Sequence, residues 1–114
     1  MPHLIIEYAQ TMNVDARMPA MLDAVHHAAV RTGLFEESHI KVRAIPVRFY
    51  RTGGSDDPFV HVQARIHEGR TDAQKAELSE AVLSAVRDQG WSARYLTVEV
   101  VEMHKASYRK LTLT

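Results

Sequence analysis

Residue 2 of the chain is a proline, and a proline at the start of a chain can act as a basic amine. The chain opens with MPHLIIE, so Pro2 begins a short apolar run typical of a strand. Initiator methionine is commonly removed when the next side chain is small, and its removal would leave Pro2 with a free secondary amine. Such an amine is a base at neutral pH only if burial or nearby cations lower its pKa. The alternative is a strand-edge proline without a chemical role.

A second candidate is Arg70, in the sequence GRTDAQK at residues 69–75. A strand ends before this segment, glycine turns the chain, and Thr71 with Gln74 matches a capping box that starts a helix. Helix amino termini favour anions, and a guanidinium beside one can hold a carboxylate through two parallel hydrogen bonds. We therefore expect Arg70 to bind an anion, with a solvated arginine as the alternative.

The rest of the chain indicates the elements that must position these residues. Apolar spacing and turn residues predict strands over residues 4–8, 40–50, 59–66 and 95–103, and helices over residues 18–32 and from Thr71 to Gly90. Pro46 lacks an amide donor, so it indicates an edge, a bulge or a break in the second strand. The sequence TGGSDDP at residues 52–58 is the strongest turn cluster and divides the chain nearly in half.

This order predicts an α+β fold made of two β-α-β units, with halves at about residues 1–52 and 58–114 of one domain spanning residues 1–114. We expect a four-stranded mixed sheet with both helices on one face. The other face then stays uncovered unless another subunit or a ligand lies on it, which favours an oligomer.

Composition excludes several classes of function. The 14 Lys and Arg residues balance 14 Asp and Glu residues, so the basic excess of a nucleic-acid-binding protein is missing. The chain has no cysteine, which removes disulfides, thiolate catalysis and zinc-cysteine sites. Neither a signal peptide nor a membrane span is recognisable, and we therefore expect a soluble cytoplasmic protein.

The seven histidines of the chain invite a metal-site interpretation. His26 and His27 are about 100° apart on a helix and cannot easily share one ion, and the i,i+4 spacing of zinc peptidases is absent. No metal site is therefore expected. His61 and His67 fall at the ends of a strand, where they would flank a pocket or form ordinary strand surface.

Two segments together resemble the tautomerase superfamily, whose members use an amino-terminal proline: MPHLIIE at residues 1–7 and GRTDAQK at residues 69–75. The opening, TGLF at residues 32–35 and FVHV at residues 59–62 are similar more particularly to the 5-carboxymethyl-2-hydroxymuconate Δ-isomerases. The likeness spans nearly the whole chain, in order and with similar spacing.

The resemblance implies a homotrimer that isomerises unsaturated di- or tricarboxylic acids from aromatic-ring degradation, without metal or organic cofactor. It implies that Pro2 is the general base, which takes the 2-hydroxyl proton and returns it to carbon, and that Arg70 binds a carboxylate. A delocalised anion lies between dienol and ketone, so the reaction needs a base with a pKa near ambient pH and cations where charge accumulates.

The sequence IKVR at residues 40–43 lies where relatives carry basic residues. The resemblance assigns Arg43 to polarising the carbonyl or holding a second carboxylate. Alternation places Lys41 on the same strand face as Arg43. Relatives have arginine in place of Lys41, and lysine is a point charge that cannot make the bidentate contact of arginine.

Two other functions remain as alternatives. One is a dehalogenase or decarboxylase of the same superfamily, in which a protonated Pro2 acts as an acid on another carboxylic acid. The other is a non-catalytic ferredoxin-like binding or assembly module, because a fold does not fix a function. The pKa of the Pro2 nitrogen distinguishes the base role from the acid role. A non-catalytic module would work equally well with or without Met1.

Overall fold

The computed structural model describes residues 1–114 and contains two successive β-α-β units. The strands are β1 (His3–Ala9), β2 (Lys41–Val47), β3 (Phe59–His67) and β4 (Tyr95–Met103), and the helices are α1 (Met18–Arg31) and α2 (Asp72–Asp88). Neither helix combines the length and apolar character needed to cross a membrane.

The four strands form one mixed sheet in the order β2-β1-β3-β4. Each unit contributes a parallel pair, β1 with β2 and β3 with β4, and the two units meet through the antiparallel pair of β1 and β3. Both helices pack on the same face of this sheet and against each other. The predicted α+β fold with two β-α-β units is confirmed.

The second strand is shorter than predicted. It ends at Val47, where its partner β1 also ends at Ala9, so the expected extension over residues 48–50 is wrong. Pro46 lies inside the strand opposite Tyr8. Proline is tolerated there because β2 is at the edge of the sheet in this chain.

The core lies between the sheet and the two helices. Alternate residues of the two central strands point toward the helices, and Leu4, Ile6 and Val62 have no solvent exposure. The helices cover them with residues spaced three and four apart, namely Met21, Val25, Ala28 and Ala29 from α1 and Leu78, Val82, Ala85 and Val86 from α2. This apolar contact fixes which face of each strand is left uncovered.

The uncovered face, called the open face below, carries the other alternate residues of each strand. Lys41, Arg43 and Ile45 are exposed on β2, and Lys41 and Arg43 share this face as the alternation predicted. His61 on β3 forms hydrogen bonds with Thr97 at 2.7 Å and with Glu99 at 2.6 Å. The open face is therefore a mixture of charged, polar and apolar side chains.

Equivalent prolines precede the first strand of each unit. The Lys41 backbone N–H donates to the Pro2 carbonyl at 3.0 Å, and the Arg94 backbone N–H donates to the Pro58 carbonyl at 2.8 Å. The two units thus begin with the same backbone arrangement, and Pro58 is the structural counterpart of Pro2.

Candidate active site

A cavity of about 230 Å³ lies at the amino end of β1. It is lined by Met1, Pro2, Leu34, Phe35, Glu36, His39, His67 and Arg70. These residues come from the start of β1, the segment after α1, the end of β3 and the turn before α2. The cavity, called the amino-terminal cavity below, therefore joins the two β-α-β units.

A glycine after α1 directs the chain to the cavity. Gly33 has a φ of 71°, in the left-handed region that suits glycine, and its N–H donates to the Val30 carbonyl at 3.1 Å. The helix therefore ends there, and Leu34 and Phe35 follow directly along the cavity wall.

The start of α2 fixes the position of Arg70. Gly69 has a φ of 109°, so the chain turns sharply just before Arg70. The predicted capping box is confirmed: the Thr71 hydroxyl accepts from the Gln74 backbone N–H at 3.1 Å, and the Gln74 side chain accepts from the Thr71 N–H at 2.9 Å. Arg70 is thereby held directly before the N-cap residue of α2.

The contacts that position the Arg70 guanidinium do not neutralise its positive charge. One of its nitrogens donates to the Leu34 carbonyl, and its carbon lies 5.6 Å from the centre of the Phe35 ring. No carboxylate lies within ion-pair distance of Arg70, whereas Glu36 in the same cavity pairs with His39 at 3.3 Å. The positive charge of Arg70 is therefore available to an incoming anion.

Pro2 is buried and lines this cavity. In the chain with Met1 attached, the pKa of the terminal amine is lowered from 8.0, first by burial and then by the charges of Lys110 and Lys41. Both causes disfavour the protonated form. The surroundings of the Met1 amine therefore disfavour its charged form.

Two of the predicted site residues lie elsewhere in this chain. Arg43 is on the open face, where its Nη1 donates to the His3 Nδ1 at 3.1 Å beside a second pocket of about 390 Å³. Lys41 shares that face and lines neither pocket, although its charge lowers the pKa of the terminal amine. The structure brings Pro2 and Arg70 together and leaves Arg43 apart, because strand alternation turns Arg43 away from the helices.

His67 is the residue of this cavity that the sequence interpretation left open. Burial, the amino terminus and Lys105 lower its pKa, and its Nδ1 is buried without a partner. The Tyr108 ring packs at right angles to it, with 4.8 Å between ring centres. The sequence feature that could have indicated its position in the cavity is its place two residues before the turn at Gly69.

No group of three His, Asp or Glu side chains in the chain is arranged to hold a metal ion. The polar groups of the amino-terminal cavity are instead a guanidinium, two imidazoles, one carboxylate and the chain terminus. Such a set can bind a carboxylate and move a proton.

The sequence model of the 5-carboxymethyl-2-hydroxymuconate isomerase family matches residues 2–112. No curated protein sequence gave a significant match. Among solved structures, a 5-carboxymethyl-2-hydroxymuconate isomerase from Deinococcus radiodurans R1 superimposes with a TM-score of 0.84 and 26% identity, over 98% of this chain and 90% of that chain.

Two further structures are similar to this chain in fold. A 5-carboxymethyl-2-hydroxymuconate delta-isomerase has a TM-score of 0.83 and 22% identity, over 98% of this chain and 89% of that chain. A fused wild-type 4-OT symmetric trimer has a TM-score of 0.79 and 20% identity, over 91% of this chain and 87% of that chain.

These matches agree with a cavity that Pro2 shares with Arg70, whose guanidinium has no carboxylate partner. The family match covers nearly the whole chain, including Pro2 and Arg70. The chain therefore belongs to the 5-carboxymethyl-2-hydroxymuconate isomerase family and is an isomerase of the tautomerase superfamily.

Proposed function

We propose that this protein catalyses keto-enol isomerisation of 5-carboxymethyl-2-hydroxymuconate or a close relative in aromatic-compound degradation, with the Pro2 amine as general base and without a cofactor. The observation that carries this proposal is the cavity that buried Pro2 shares with Arg70, whose guanidinium has no carboxylate partner. A base and an anion-binding group are thus within one small space.

The proposed reaction begins when the Pro2 nitrogen takes the proton of the substrate 2-hydroxyl. The O–H bond breaks, and its electron pair spreads over the conjugated system as an anion. The proton then forms a C–H bond at a carbon of the same system, which regenerates the amine. Arg70 holds a carboxylate of the substrate throughout, because a guanidinium matches a carboxylate in geometry and charge.

We further propose that the protein is a homotrimer in the cytoplasm. The open face supports assembly, since Ile45 and Tyr95 remain 44% and 46% exposed there. The structure of the fused 4-OT protein is a trimer of similar fold. Arg43 and Lys41 lie away from the amino-terminal cavity of their own chain, so their proposed substrate contacts require the open face of one protomer to border the cavity of another.

The base role is favoured over the acid role of a dehalogenase or decarboxylase by the electrostatics of the amino terminus. In the chain with Met1 attached, burial, Lys110 and Lys41 all lower the pKa of the Met1 amine, and we expect the adjacent Pro2 amine to meet the same influences once Met1 is removed. A general base is efficient when its pKa lies near the working pH, whereas an acid must stay protonated there.

The test compares the processed chain with a chain that retains Met1, each verified by mass spectrometry. The peptide nitrogen of a Met1-Pro2 bond has no basic lone pair, so the retained chain should lose turnover of a 2-hydroxymuconate-type dienol by about 100-fold or more. Absorbance of the dienol follows the reaction.

The matched control is Pro58→Ala, because Pro58 has the same backbone contact as Pro2 but is never a chain terminus. That variant should retain its turnover within about threefold, whereas Pro2→Ala, which leaves a primary amine, should be damaged. Normal turnover by the Met1-retaining chain would rule out the amine mechanism.

A further inference from the structure

We propose that His67 is a second catalytic residue of the amino-terminal cavity, and that its ring N–H donates a hydrogen bond to the substrate oxygen on which negative charge develops. This inference rests on the proposed function, since it adds a group to the same reaction. It assigns to His67 the polarising contact that the sequence had suggested for Arg43.

The strand register places His67 beside the chain terminus. β1 and β3 are antiparallel and pair His3 with Arg65, so extending the pairing by two residues brings His67 opposite Met1. The nitrogen that becomes the Pro2 amine on removal of Met1 is part of the peptide bond at that end. Both residues line the amino-terminal cavity.

The imidazole of His67 is held in one orientation by the carboxyl-terminal segment. The Tyr108 ring packs against it at 89°, and the Tyr108 hydroxyl is 2.9 Å from the His3 Nε2. The other nitrogen of His3 accepts from Arg43, so Tyr108 is itself anchored. A hydrogen-bond donor held in this way loses little freedom when substrate binds.

The surroundings of the ring select which nitrogen donates. Nδ1 of His67 is buried without a partner. A buried N–H without an acceptor is rarer than a buried acceptor without a donor, so the proton belongs on Nε2. Nε2 makes no hydrogen bond within the protein and is not buried, and it is therefore the nitrogen available to a ligand.

A neutral imidazole suits this position. In the chain with Met1 attached, burial, the charged amino terminus and Lys105 lower the pKa of His67, and Glu68 opposes them with the smallest effect. Burial, the largest cause, does not depend on the charge of the terminus. The uncharged ring donates to the oxygen without adding another positive charge to that of Arg70. Arg70 then anchors a carboxylate, Pro2 moves the proton, and His67 stabilises the oxygen.

His67→Leu and His67→Gln test this role in the processed chain with a 2-hydroxymuconate-type dienol. We expect His67→Leu to lower kcat by roughly 100-fold, the cost of removing one donor to a developing oxyanion, and to change KM by less than about threefold. Glutamine keeps an N–H donor, so His67→Gln should remain within about tenfold of wild type. The control is His27→Leu, at an exposed α1 position, which should retain full kcat.

Three results would overturn the inference: a kcat within twofold of wild type for His67→Leu, equal loss for leucine and glutamine, or a loss in KM alone. Equal loss would mean that the ring only packs. Dependence of turnover on Met1 removal is scored separately, so a failure of the amine mechanism is distinguishable from a failure of this role.

A measurement on the wild-type protein covers the case in which the variants do not fold. Nitrogen-15 NMR of the His67 ring should show the Nε2-protonated tautomer, and its Nε2 resonance should shift on addition of 2-oxoadipate, a saturated keto dicarboxylate. An Nδ1-protonated ring or an unshifted resonance at saturating 2-oxoadipate contradicts the proposal.

Discussion

Pro2 and Pro58 start equivalent strands, and the corners around them share a second contact. At the Pro2 corner Arg70 donates to the carbonyl of Leu34, in the segment after α1. At the Pro58 corner Arg17 donates to the carbonyl of Gln89, at the end of α2. Each arginine thus joins the start of one unit's helix to the end of the other's.

The interiors of the two corners differ. Leu34 follows the glycine that ends α1, and the amino-terminal cavity opens beside it. The residue after the corresponding glycine of α2 is Trp91, which is only 7% exposed and packs edge-to-face on Tyr8 with 5.8 Å between ring centres. No cavity is lined by Pro58 or Trp91.

The repeated backbone gives the two corners equivalent positions, whereas the proposed chemistry depends on two departures from the repeat. One departure is the chain terminus, because only Pro2 can have a free amine. The other is side-chain volume, since a tryptophan occupies its corner and a leucine with a half-buried phenylalanine leaves room for a ligand. Substitutions at equivalent positions can separate these contributions.

The largest expected difference between the corners is in stability. Trp91→Ala should lower the free energy of unfolding by about 3–5 kcal/mol, because a large buried ring is lost and a void remains. Leu34→Ala should cost about 1–2 kcal/mol, since Leu34 is already half-exposed beside the cavity. Urea unfolding followed by circular dichroism measures both. Equal losses of unfolding free energy would contradict the conclusion that Trp91 fills the Pro58 corner.

The next difference concerns substrate binding. Arg70→Ala should raise KM about 10- to 100-fold, because a hydrogen bond between charged groups contributes about 1.5–3 kcal/mol. Arg17→Ala is the matched control, since it removes the same backbone contact at the Pro58 corner, and KM should stay unchanged. Steady-state kinetics on the dienol provides the measurement. A similar rise in both variants would show that the arginines act only through the backbone.

The smallest expected effect is on the pH dependence of stability. The pKa values of His3 and His67 are both lowered, mainly by burial, and Phe59 stands in place of His3 at the Pro58 corner. The unfolded chain therefore binds protons that the native state excludes, so the free energy of unfolding should fall as the pH drops below about 6.5. Above about pH 6.5 the two neutral histidines do not reduce the free energy of unfolding. The reduction grows as the pH falls from about 6.5 toward their lowered folded-state pKa values. Urea titrations between pH 5 and 7.5 measure the slope, which the double variant His3→Gln/His67→Gln should flatten. An unchanged slope in that variant would contradict the assignment.

Much of the fold was predictable because local rules decide it. The capping box at Thr71 and the glycines after both helices mark helix ends in any context. The alternation over residues 59–66 likewise indicated a strand, and the structure places its even-numbered residues in the core. The end of β2 was not predictable from its own residues, since it depends on where β1 stops pairing.

The site was predictable in part. Pro2 and Arg70 were recognised from motifs, and they line one cavity. Arg43 was grouped with them by resemblance, but alternation along β2 carries it to the open face. The sequence left two alternatives for His67, a pocket-flanking or a surface position, because a histidine at a strand end looks the same in sequence whether it faces solvent or a cavity.

Local sequence is enough to specify the two β-α-β units, the helix caps and the chemical types available at Pro2 and Arg70, because these depend on residues close together in the chain. Which of these groups lie close together depends on the packing of the whole chain. The antiparallel pairing of β1 with β3 brings residues 67 and 70 to the chain terminus. Trp91 fills the Pro58 corner, so a cavity is left only at the Pro2 corner. Such distances between remote residues follow from sheet register and core packing, which no local pattern encodes.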